Sequence, residues 1–232
     1  MRDELEAGIW KLTQPLNGQY PRPWMTKLRD PANADVFVVG KNPSRNYPTD
    51  RIGAQSRHVD ALFNRNRLTC RGLYDEIAGV KGPSPTRKNI DRLVEQLNAA
   101  GVEGIVETNA ICYSTPTSTD LFEPIHRGGS QRGGEIFDFL LAMIRPRVLI
   151  VHGKSTFDRF KLVLPGKHWP AAPTRPDDKV AKGRPGRSDY NPLVYPIPSL
   201  APPGFYQNKW NTWCDEYFQR LAADVAAELS SA

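Results

Sequence analysis

Four short apolar segments separated by helical patterns are the feature that most constrains the fold of this chain. The runs DVFVVG (35–40) and RVLIV (147–151) are rich in β-branched residues and too short for buried helices, so they predict strands covered on both faces. Further strands are predicted at 104–111 and 193–197. Because helical connections separate all of these strands, we expect an α/β fold, three-layer α/β/α, with a short four-stranded parallel sheet.

The helical segments repeat an apolar face. In NIDRLVEQLNAA (89–100) apolar residues recur at spacings of three and four, and Gly101 closes the pattern. Comparable apolar faces predict helices at 57–78, 134–144, 156–163 and 208–227.

The length of 232 residues is enough to bury a core without disulfides or metals. We therefore expect residues 1–232 to form a single domain. The segment 1–34, rich in Pro and Trp, is expected to be an N-terminal extension of helix and coil that wraps around this domain. The basic, Pro/Gly-rich segment 165–192 is expected to be a surface loop.

The cysteines and the hydropathy indicate the setting in which the chain works. Cys70, Cys112 and Cys214 are widely spaced and form no CxxC pair, so we expect no disulfide framework, no metal site and a reducing, cytoplasmic location. The charged N-terminus MRDELEAGIWKL has no apolar core, so no signal peptide is expected. No run of about 18 apolar residues occurs, so no membrane partner is expected.

The net charge of +6 and the pI of about 9.3 permit an acidic partner such as DNA. The same basic excess is equally typical of an ordinary soluble protein, so the charge leaves both interpretations open. It leaves the oligomeric state open as well.

Ligands of parallel α/β sheets bind beyond the carboxyl ends of the strands. In this chain those ends are the segments 40–47, 109–116, 152–155 and 197–206. They are also the most unusual parts of the sequence, and we therefore expect the functional site among them.

The first segment, GKNPSRNYP, offers polar groups on a stiff turn. Gly40 allows a backbone to approach a ligand closely, Pro43 stiffens the chain, and Asn42 can both donate and accept hydrogen bonds. Asn42 could orient a water or contact a polar ligand, but Asn-Pro-Ser is also typical of a simple turn. In the second segment, Asn109 could contact the edge of a base or could tie two loops together.

The last two segments are less specific. VHGKSTF (151–157) precedes a helix but lacks the full phosphate-loop pattern, since Val148 stands where glycine is needed, and His152 is better explained as a packed strand-end residue. The Pro-rich segment 195–210 could insert an apolar side chain into a duplex or could be a stiff connector. No nucleophile elbow, zinc motif or dinucleotide fingerprint occurs, so no cofactor is implied.

Taken together, the four segments resemble the uracil-DNA glycosylase superfamily, in order, over roughly residues 35–220. Gly40-Lys41-Asn42-Pro43-Ser44 looks like the first motif of that family and is closest to its mismatch-specific and single-strand-selective branches. T-N-A-I-C-Y, which contains Asn109, is similar to the second-strand segment that reads the base in several branches. Pro198-Ser199-Leu200 matches part of the family's His-Pro-Ser loop.

The resemblance implies a role for each matching residue. Asn42 would be catalytic and would position the hydrolytic water. The residues implied at the base are Gly40, Pro43, Ser44, Tyr47, as an aromatic stacking partner, and Asn109. Ser199 and Leu200 would engage phosphate and duplex. Arg45, Lys154 and the basic loop 182–187 could steer DNA by their positive charge.

One position departs from the family pattern. Ile197 stands where the family has its histidine, and isoleucine cannot donate a hydrogen bond to the negative charge that develops on the leaving base. Loss of one such donor costs about 2.7–4 kcal/mol in other enzymes. Either another group substitutes for this donor, or the chemistry is weak or absent.

The leading functional hypothesis is therefore a hydrolase, a DNA glycosylase-like protein that removes a deaminated or damaged base from DNA. A second hypothesis is a catalytically inactive binder of nucleic acid or protein on the same fold, which Ile197 favours. A third is an enzyme that acts on a small nucleotide or nucleoside.

Overall fold

A computed structural model describes residues 2–163, 166, 169–185 and 190–231. The helices are α1 (Arg2–Leu12), α2 (Thr49–Ile52), α3 (Gln55–Leu62), α4 (Cys70–Ala78), α5 (Pro85–Ala99), α6 (Gly129–Ile144), α7 (Lys154–Val163) and α8 (Trp210–Ser230). The strands are β1 (Trp24–Thr26), β2 (Val36–Gly40), β3 (Ile105–Asn109), β4 (Val148–His152) and β5 (Leu193–Ile197). Short 3-10 segments lie at Pro31–Asn33, Gly79–Lys81, Asp120–Phe122, Pro124–His126 and Gly204–Lys209.

The strands form one mixed sheet of order β1-β3-β2-β4-β5. β2 and β3 run in the same direction. The Val36 N–H at the start of β2 donates to Gly104 O just before β3 (3.0 Å), and Gly40 O at the end of β2 accepts from the Ala110 N–H just after β3 (2.8 Å). β4 and β5 are also parallel, with His152 paired to Ile197. The α/β class and the four predicted strands are confirmed.

The predicted strand count was wrong, because β1 adds a fifth strand within the segment 1–34. β1 pairs antiparallel with β3, Trp24 opposite Thr108 and Thr26 opposite Val106. A strand of three residues is too short to show an alternation of apolar and polar side chains in the sequence. It forms because the edge of β3 offers hydrogen-bond partners to its backbone. The N-terminal segment therefore completes the sheet as well as extending the chain.

The chain divides into two compact units, each built from separate stretches. Unit 1 consists of 1–34, 39–82 and 106–145, and unit 2 consists of 35–38, 83–105 and 146–232. The expectation of a single domain stays a prediction.

The core of unit 2 is dominated by the aromatic face of α8. The Trp210 indole is fully buried and meets Trp213 edge-on at 4.5 Å between ring centroids. Leu93 and Leu97 of α5 belong to the same apolar cluster, which explains the predicted apolar face of that helix. Full burial of a large apolar side chain such as leucine stabilises the folded state by about 1.5–3 kcal/mol. The contact between α5 and α8 therefore contributes strongly to the stability of unit 2.

Unit 1 has its own core around β1. The Trp24 ring packs edge-on against Phe63 at 5.5 Å, and its indole N–H donates to Leu62 O at 2.9 Å. This bond satisfies the buried indole donor and fixes the end of α3 against the edge strand.

The three cysteines are free and buried. Burial raises the pKa of Cys70 and of Cys112 to about 12. No helix within the described ranges is both long and apolar enough to cross a membrane.

Gly133 of α6 provides a test of the packing in unit 1. A Cβ at this position would lie 2.7 Å from the Ile111 side chain and 2.8 Å from the Cys112 backbone nitrogen. Helix propensity alone would make Gly133→Ala more stable by about 1 kcal/mol. The added methyl group would, however, clash with backbone atoms, which cannot move aside as a flexible side chain can. We expect Gly133→Ala to lower the free energy of unfolding by about 1–3 kcal/mol in urea titrations.

The control is Gln131→Ala on the exposed side of the same helix, which should change the free energy of unfolding by less than about 0.5 kcal/mol. If Gly133→Ala were as stable as this control, the close approach of α6 to residues 111–113 would be refuted.

Candidate functional site

The segments that follow β2 and β3 run side by side in unit 1. We call residues 40–48 the Asn42 loop and residues 110–128 the Phe122 loop. Their backbones remain hydrogen-bonded beyond the strand ends, through Ala110 N to Gly40 O (2.8 Å), Ile111 N to Lys41 O (2.9 Å) and Thr115 N to Pro43 O (3.1 Å). This continued ladder brings Asn42 beside the Phe122 loop.

The Asn42 side chain has one defined orientation. The Thr115 hydroxyl donates to Thr117 O at 2.6 Å, so its oxygen is left to accept a hydrogen bond. The Asn42 Nδ2 donates to this oxygen at 2.8 Å, and the Asn42 Oδ1 accepts from the Ser118 hydroxyl at 2.9 Å. The fixed role of Thr115 therefore assigns the nitrogen of the amide, and the oxygen then faces the Ser118 hydroxyl.

One hydrogen-bonding position of Asn42 remains open. An amide oxygen has two lone pairs, and Ser118 is the single donor to Oδ1 within the described part of the chain. The side chain is half-buried, so solvent can reach it. Oδ1 is thus able to accept a hydrogen bond from a water molecule.

Asn109 ends β3 as predicted and is half-buried. Its backbone oxygen accepts a bond from Cys112 Sγ at 3.2 Å. Its side-chain amide has no hydrogen-bond partner among the residues described. A half-buried amide of this kind can pair with a ligand that presents a donor and an acceptor on one edge.

The loop-tying role that was one alternative for Asn109 is performed by Asn42 in the structure. The residue that ties two loops together is Asn42, through Thr115 and Ser118. Sequence reasoning missed both of these partners, although the hydroxyl-rich run TPTSTD follows the end of β3 and was the available signal.

The other predicted base-pocket residues differ in exposure. Gly40 and Pro43 are buried and Ser44 is exposed. Tyr47 is only 3% exposed, and burial raises its pKa to about 12. The Arg22 guanidinium lies 5.4 Å above its ring and His58 meets it edge-on at 5.6 Å.

The expected stacking of Tyr47 on a base is therefore corrected. Its ring belongs to the interior of unit 1, and a base would have to displace Arg22 or His58 to reach it. An aromatic residue near a site motif predicts a ring in the region but not the direction in which the ring points.

Arg45 and Lys154, which were predicted to contact DNA, differ in their exposure and in their partners. Arg45 is half-buried, with its guanidinium 5.2 Å over the Tyr74 ring and Nη2 donating to Gly82 O at 3.0 Å. Lys154 is 89% exposed in its side chain and pairs with Asp158 one helical turn away. An exposed pair of this kind contributes little to stability, so Lys154 can exchange its partner for another anion.

The basic loop is less cationic than its sequence indicates. Lys182 pairs with Asp224 (2.7 Å) and with Glu228 (2.9 Å) of α8, and Arg184 lies 3.9 Å from the same Glu228. Positions 186 and 187 lie outside the described residues. The cations at 182 and 184 thus have acidic partners in the same unit, and their predicted role in steering DNA stays a prediction.

Leu200, the predicted duplex wedge, is fully buried in unit 2. Its backbone oxygen accepts from Asn89 Nδ2 at 2.9 Å and its N–H donates to His152 Nδ1 at 3.5 Å. These bonds hold the loop so that the leucine side chain joins the apolar core, and its predicted contact with DNA is corrected. Asn89 was missed, although it shares the face of Leu93 and Leu97 on α5 and breaks its apolar pattern.

Ser199 satisfies its hydroxyl locally. Its Oγ donates to Ala201 O at 3.0 Å and accepts from Ala201 N at 3.1 Å. Gly204 allows the chain to pass, since a Cβ there would lie 2.7 Å from the Ser199 Cβ. The predicted phosphate contact of Ser199 stays a prediction.

Ile197 is 2% exposed and lies opposite His152 in the sheet register. Burial lowers the pKa of His152 to about 4, and the positive charge of Arg87 acts in the same direction. The ring is therefore neutral near pH 7, and because Nδ1 accepts the Leu200 N–H, its proton lies on Nε2. The structure bears out the expectation of a packed strand-end histidine.

No set of three metal-ligating side chains comes together in the ranges that the structure describes. No protein-family model matches this chain, and no curated protein matches it in sequence. The functional assignment must therefore come from the residues and their geometry.

The buried histidines predict the pH dependence of stability. His58 and His152 both have a pKa of about 4 in the folded state, lowered by burial from 6.5. Between these values the unfolded chain binds protons that the folded chain does not, so the free energy of unfolding decreases as the pH falls from about 6.5 to about 4. The slope is at most about 1.4 kcal/mol per pH unit for each histidine.

Urea titrations across this range measure the slope. His58→Gln and His152→Gln should each reduce it, whatever their effect at neutral pH. A slope that is the same in the wild type and in both variants would contradict the neutral state of these rings.

Proposed function

We propose that this protein is a DNA glycosylase, on a three-layer α/β/α fold of the uracil-DNA glycosylase type, that hydrolyses the N-glycosidic bond of a deaminated or damaged base. The observation that carries the proposal is the fixed amide of Asn42, with one lone pair of Oδ1 available to a water. The half-buried amide of Asn109, on the neighbouring strand, supports it.

The chemistry assigned to Asn42 is the positioning of a nucleophile. A neutral amide is a poor base, so its contribution is to hold a water by one hydrogen bond and direct the oxygen lone pair of that water at the sugar carbon. Fixed orientation of a reacting group is worth a large part of many catalytic rate enhancements, and a displacement of 1 Å can cost about 100-fold.

Asn109 would select the base. Its NH2 group can donate to a carbonyl oxygen and its own oxygen can accept from a ring N–H, which is the pattern that a uracil-like edge presents. A donor placed at the base oxygen also stabilises the negative charge that develops on the leaving base. Arg45 and Lys154 would contact phosphates of the DNA strand.

A catalytically inactive binder is the second candidate, and Ile197 is the observation that favours it. This side chain is buried and apolar, so it supplies no donor at the position where the resemblance expects one. Salt-dependent DNA binding without base release would identify this function. Release of a base from free nucleosides but not from DNA would instead indicate a small-molecule enzyme.

The proposed roles are tested with uracil-containing oligonucleotides and cleavage of the abasic product. Asn42→Ala should lower kcat on the order of 100-fold, because the water loses its fixed acceptor. Asn109→Ala should lower kcat/KM and should reduce the preference for uracil over other bases.

Asn46→Ala is the matched control, since Asn46 lies in the same loop but is exposed. Its activity should remain within about twofold of the wild type, the change expected where no interaction is lost. Base release that survives Asn42→Ala unchanged would refute the assignment of this residue.

Thr115 is predicted to be a positioning residue. Thr115→Val keeps the shape of the side chain but removes the oxygen that orients the Asn42 amide. We expect kcat to fall about 10- to 100-fold with KM nearly unchanged, while Thr115→Ser, which keeps the hydroxyl, retains most of the activity.

Equal losses in Thr115→Val and Thr115→Ser would indicate a packing defect instead of a lost hydrogen bond. A change in KM alone would place Thr115 in substrate binding.

A further inference from the structure

Two arginines of unit 1 lie against one aromatic ring. The guanidinium carbon of Arg22 is 5.8 Å from the centre of the Tyr74 ring, and that of Arg45 is 5.2 Å from the same centre. The two cations are therefore no farther apart than the sum of these distances. Tyr74 is buried in the core of unit 1, so it is a fixed platform for both side chains. We call Arg22 and Arg45 the arginine pair.

The arginine pair has no acidic partner. Neither guanidinium lies within ion-pair distance of a carboxylate in the part of the chain that the structure describes. Other arginines of the same unit are paired, Arg57 with Glu76 at 2.6 Å and Arg65 with Asp60 at 2.6 Å. An aromatic ring attracts a cation but does not neutralise its charge. Two positive charges thus lie close together without a counter-charge from a side chain.

The buried groups around Arg22 supply no negative charge either. Its positive charge acts on the four groups Tyr47, His58, Cys70 and Cys112. Burial raises the pKa of the tyrosine and of both cysteines to about 12 and lowers the pKa of the histidine to about 4, so all four are neutral near pH 7. The charges of Glu107 and Asp138 act on the two cysteines, but neither carboxylate forms an ion pair with Arg22.

Most hydrogen-bond donors of the arginine pair are unused. A guanidinium carries five N–H donors. Nη1 of Arg22 is shielded from solvent and has no acceptor among the described residues, a situation that calls for an ordered water or ion. Arg45 donates from Nη2 to Gly82 O at 3.0 Å, and its remaining N–H groups have no acceptor within the same described ranges. Both residues are half-buried, so a ligand can still approach them.

The charge and the donors of the arginine pair suit a phosphate monoester. The planar fork of a guanidinium donates two parallel hydrogen bonds to phosphate oxygens. A phosphate monoester carries a charge of about −1.5 to −2 at pH 7, whereas an internal phosphate of a DNA strand carries a single negative charge. Two arginines without acidic partners therefore match the monoester better than the internal diester.

We propose that Arg22 and Arg45 form a binding site for a phosphate monoester, which belongs to a free nucleotide or to the end of a DNA strand. Arg45 is part of the Asn42 loop. A nucleotide held by its phosphate would thus be anchored on the loop that presents the proposed water-binding amide. The site goes beyond the proposed base release and does not depend on it, because it rests on the charges and contacts of the arginine pair.

The test is calorimetric titration at low salt with deoxyuridine monophosphate, with its methyl ester, which is a diester, and with deoxyuridine. The monophosphate should bind at least about tenfold more tightly than the other two. Arg22→Met and Arg45→Met should each weaken its binding at least about tenfold, and Arg45→Lys, which keeps the charge but loses the planar fork, should lie between Arg45→Met and the wild type.

Arg29→Met is the matched control, since it removes an exposed arginine of the same unit. Its affinity for the monophosphate should stay within about twofold of the wild type. Because Arg22 packs against buried rings, circular dichroism checks that each variant is folded. If Arg22→Met does not fold, Arg45→Met decides the test.

Oligonucleotides with and without a terminal phosphate distinguish the two sources of the ligand. Binding of the free monophosphate assigns the site to nucleotides. Tighter binding of the phosphorylated oligonucleotide, lost in Arg45→Met, without binding of the monophosphate assigns the site to strand ends. Either result supports the phosphate site even if the wild type releases no base and the proposed function fails.

Three outcomes overturn the proposal. They are equal affinities for the monophosphate and its methyl ester, unchanged phosphate binding in Arg45→Met, and an equal loss in Arg29→Met. Absence of phosphate-dependent binding of both the monophosphate and the phosphorylated oligonucleotide overturns it as well, and leaves Arg22 with a purely structural role between two tyrosine rings.

Discussion

The candidate site depends on a backbone ladder that does not stop where the strands stop. After Gly40 the chain continues to accept N–H groups from the segment that follows β3, as far as the bond from Thr115 N to Pro43 O at 3.1 Å. Loops are usually the most variable part of an α/β fold. These two are held in register by the sheet itself, so a side chain on one can be oriented by hydroxyl groups on the other.

The strands could be predicted from sequence because each core strand carries its own signal, a short β-branched run. The edge strand could not, since Trp24–Thr26 becomes a strand only by pairing with β3, whose residues lie 80 to 84 positions away. The local sequence pattern indicates which residues tend to be extended. It does not indicate which other segment will pair with their backbone.

The same distinction applies to the site. Asn42 was a candidate because of its place after a strand and its chemical type. Its partners Thr115 and Ser118 lie 73 and 76 positions away, and no local pattern links them to it. Tyr47 and Leu200 were assigned by type and place as well, but burial decides their role, and burial depends on the direction of each side chain in the folded unit.

The direction of the Thr117–Thr115–Asn42 hydrogen bonds has a consequence for which residue position 42 can hold. The Thr115 proton is committed to Thr117 O, so the oxygen of Thr115 faces position 42 as an acceptor. An aspartate there would set two acceptors against each other, unless Thr115 turned and left a backbone carbonyl unpaired. The direction of these hydrogen bonds therefore favours an amide over a carboxylate at position 42.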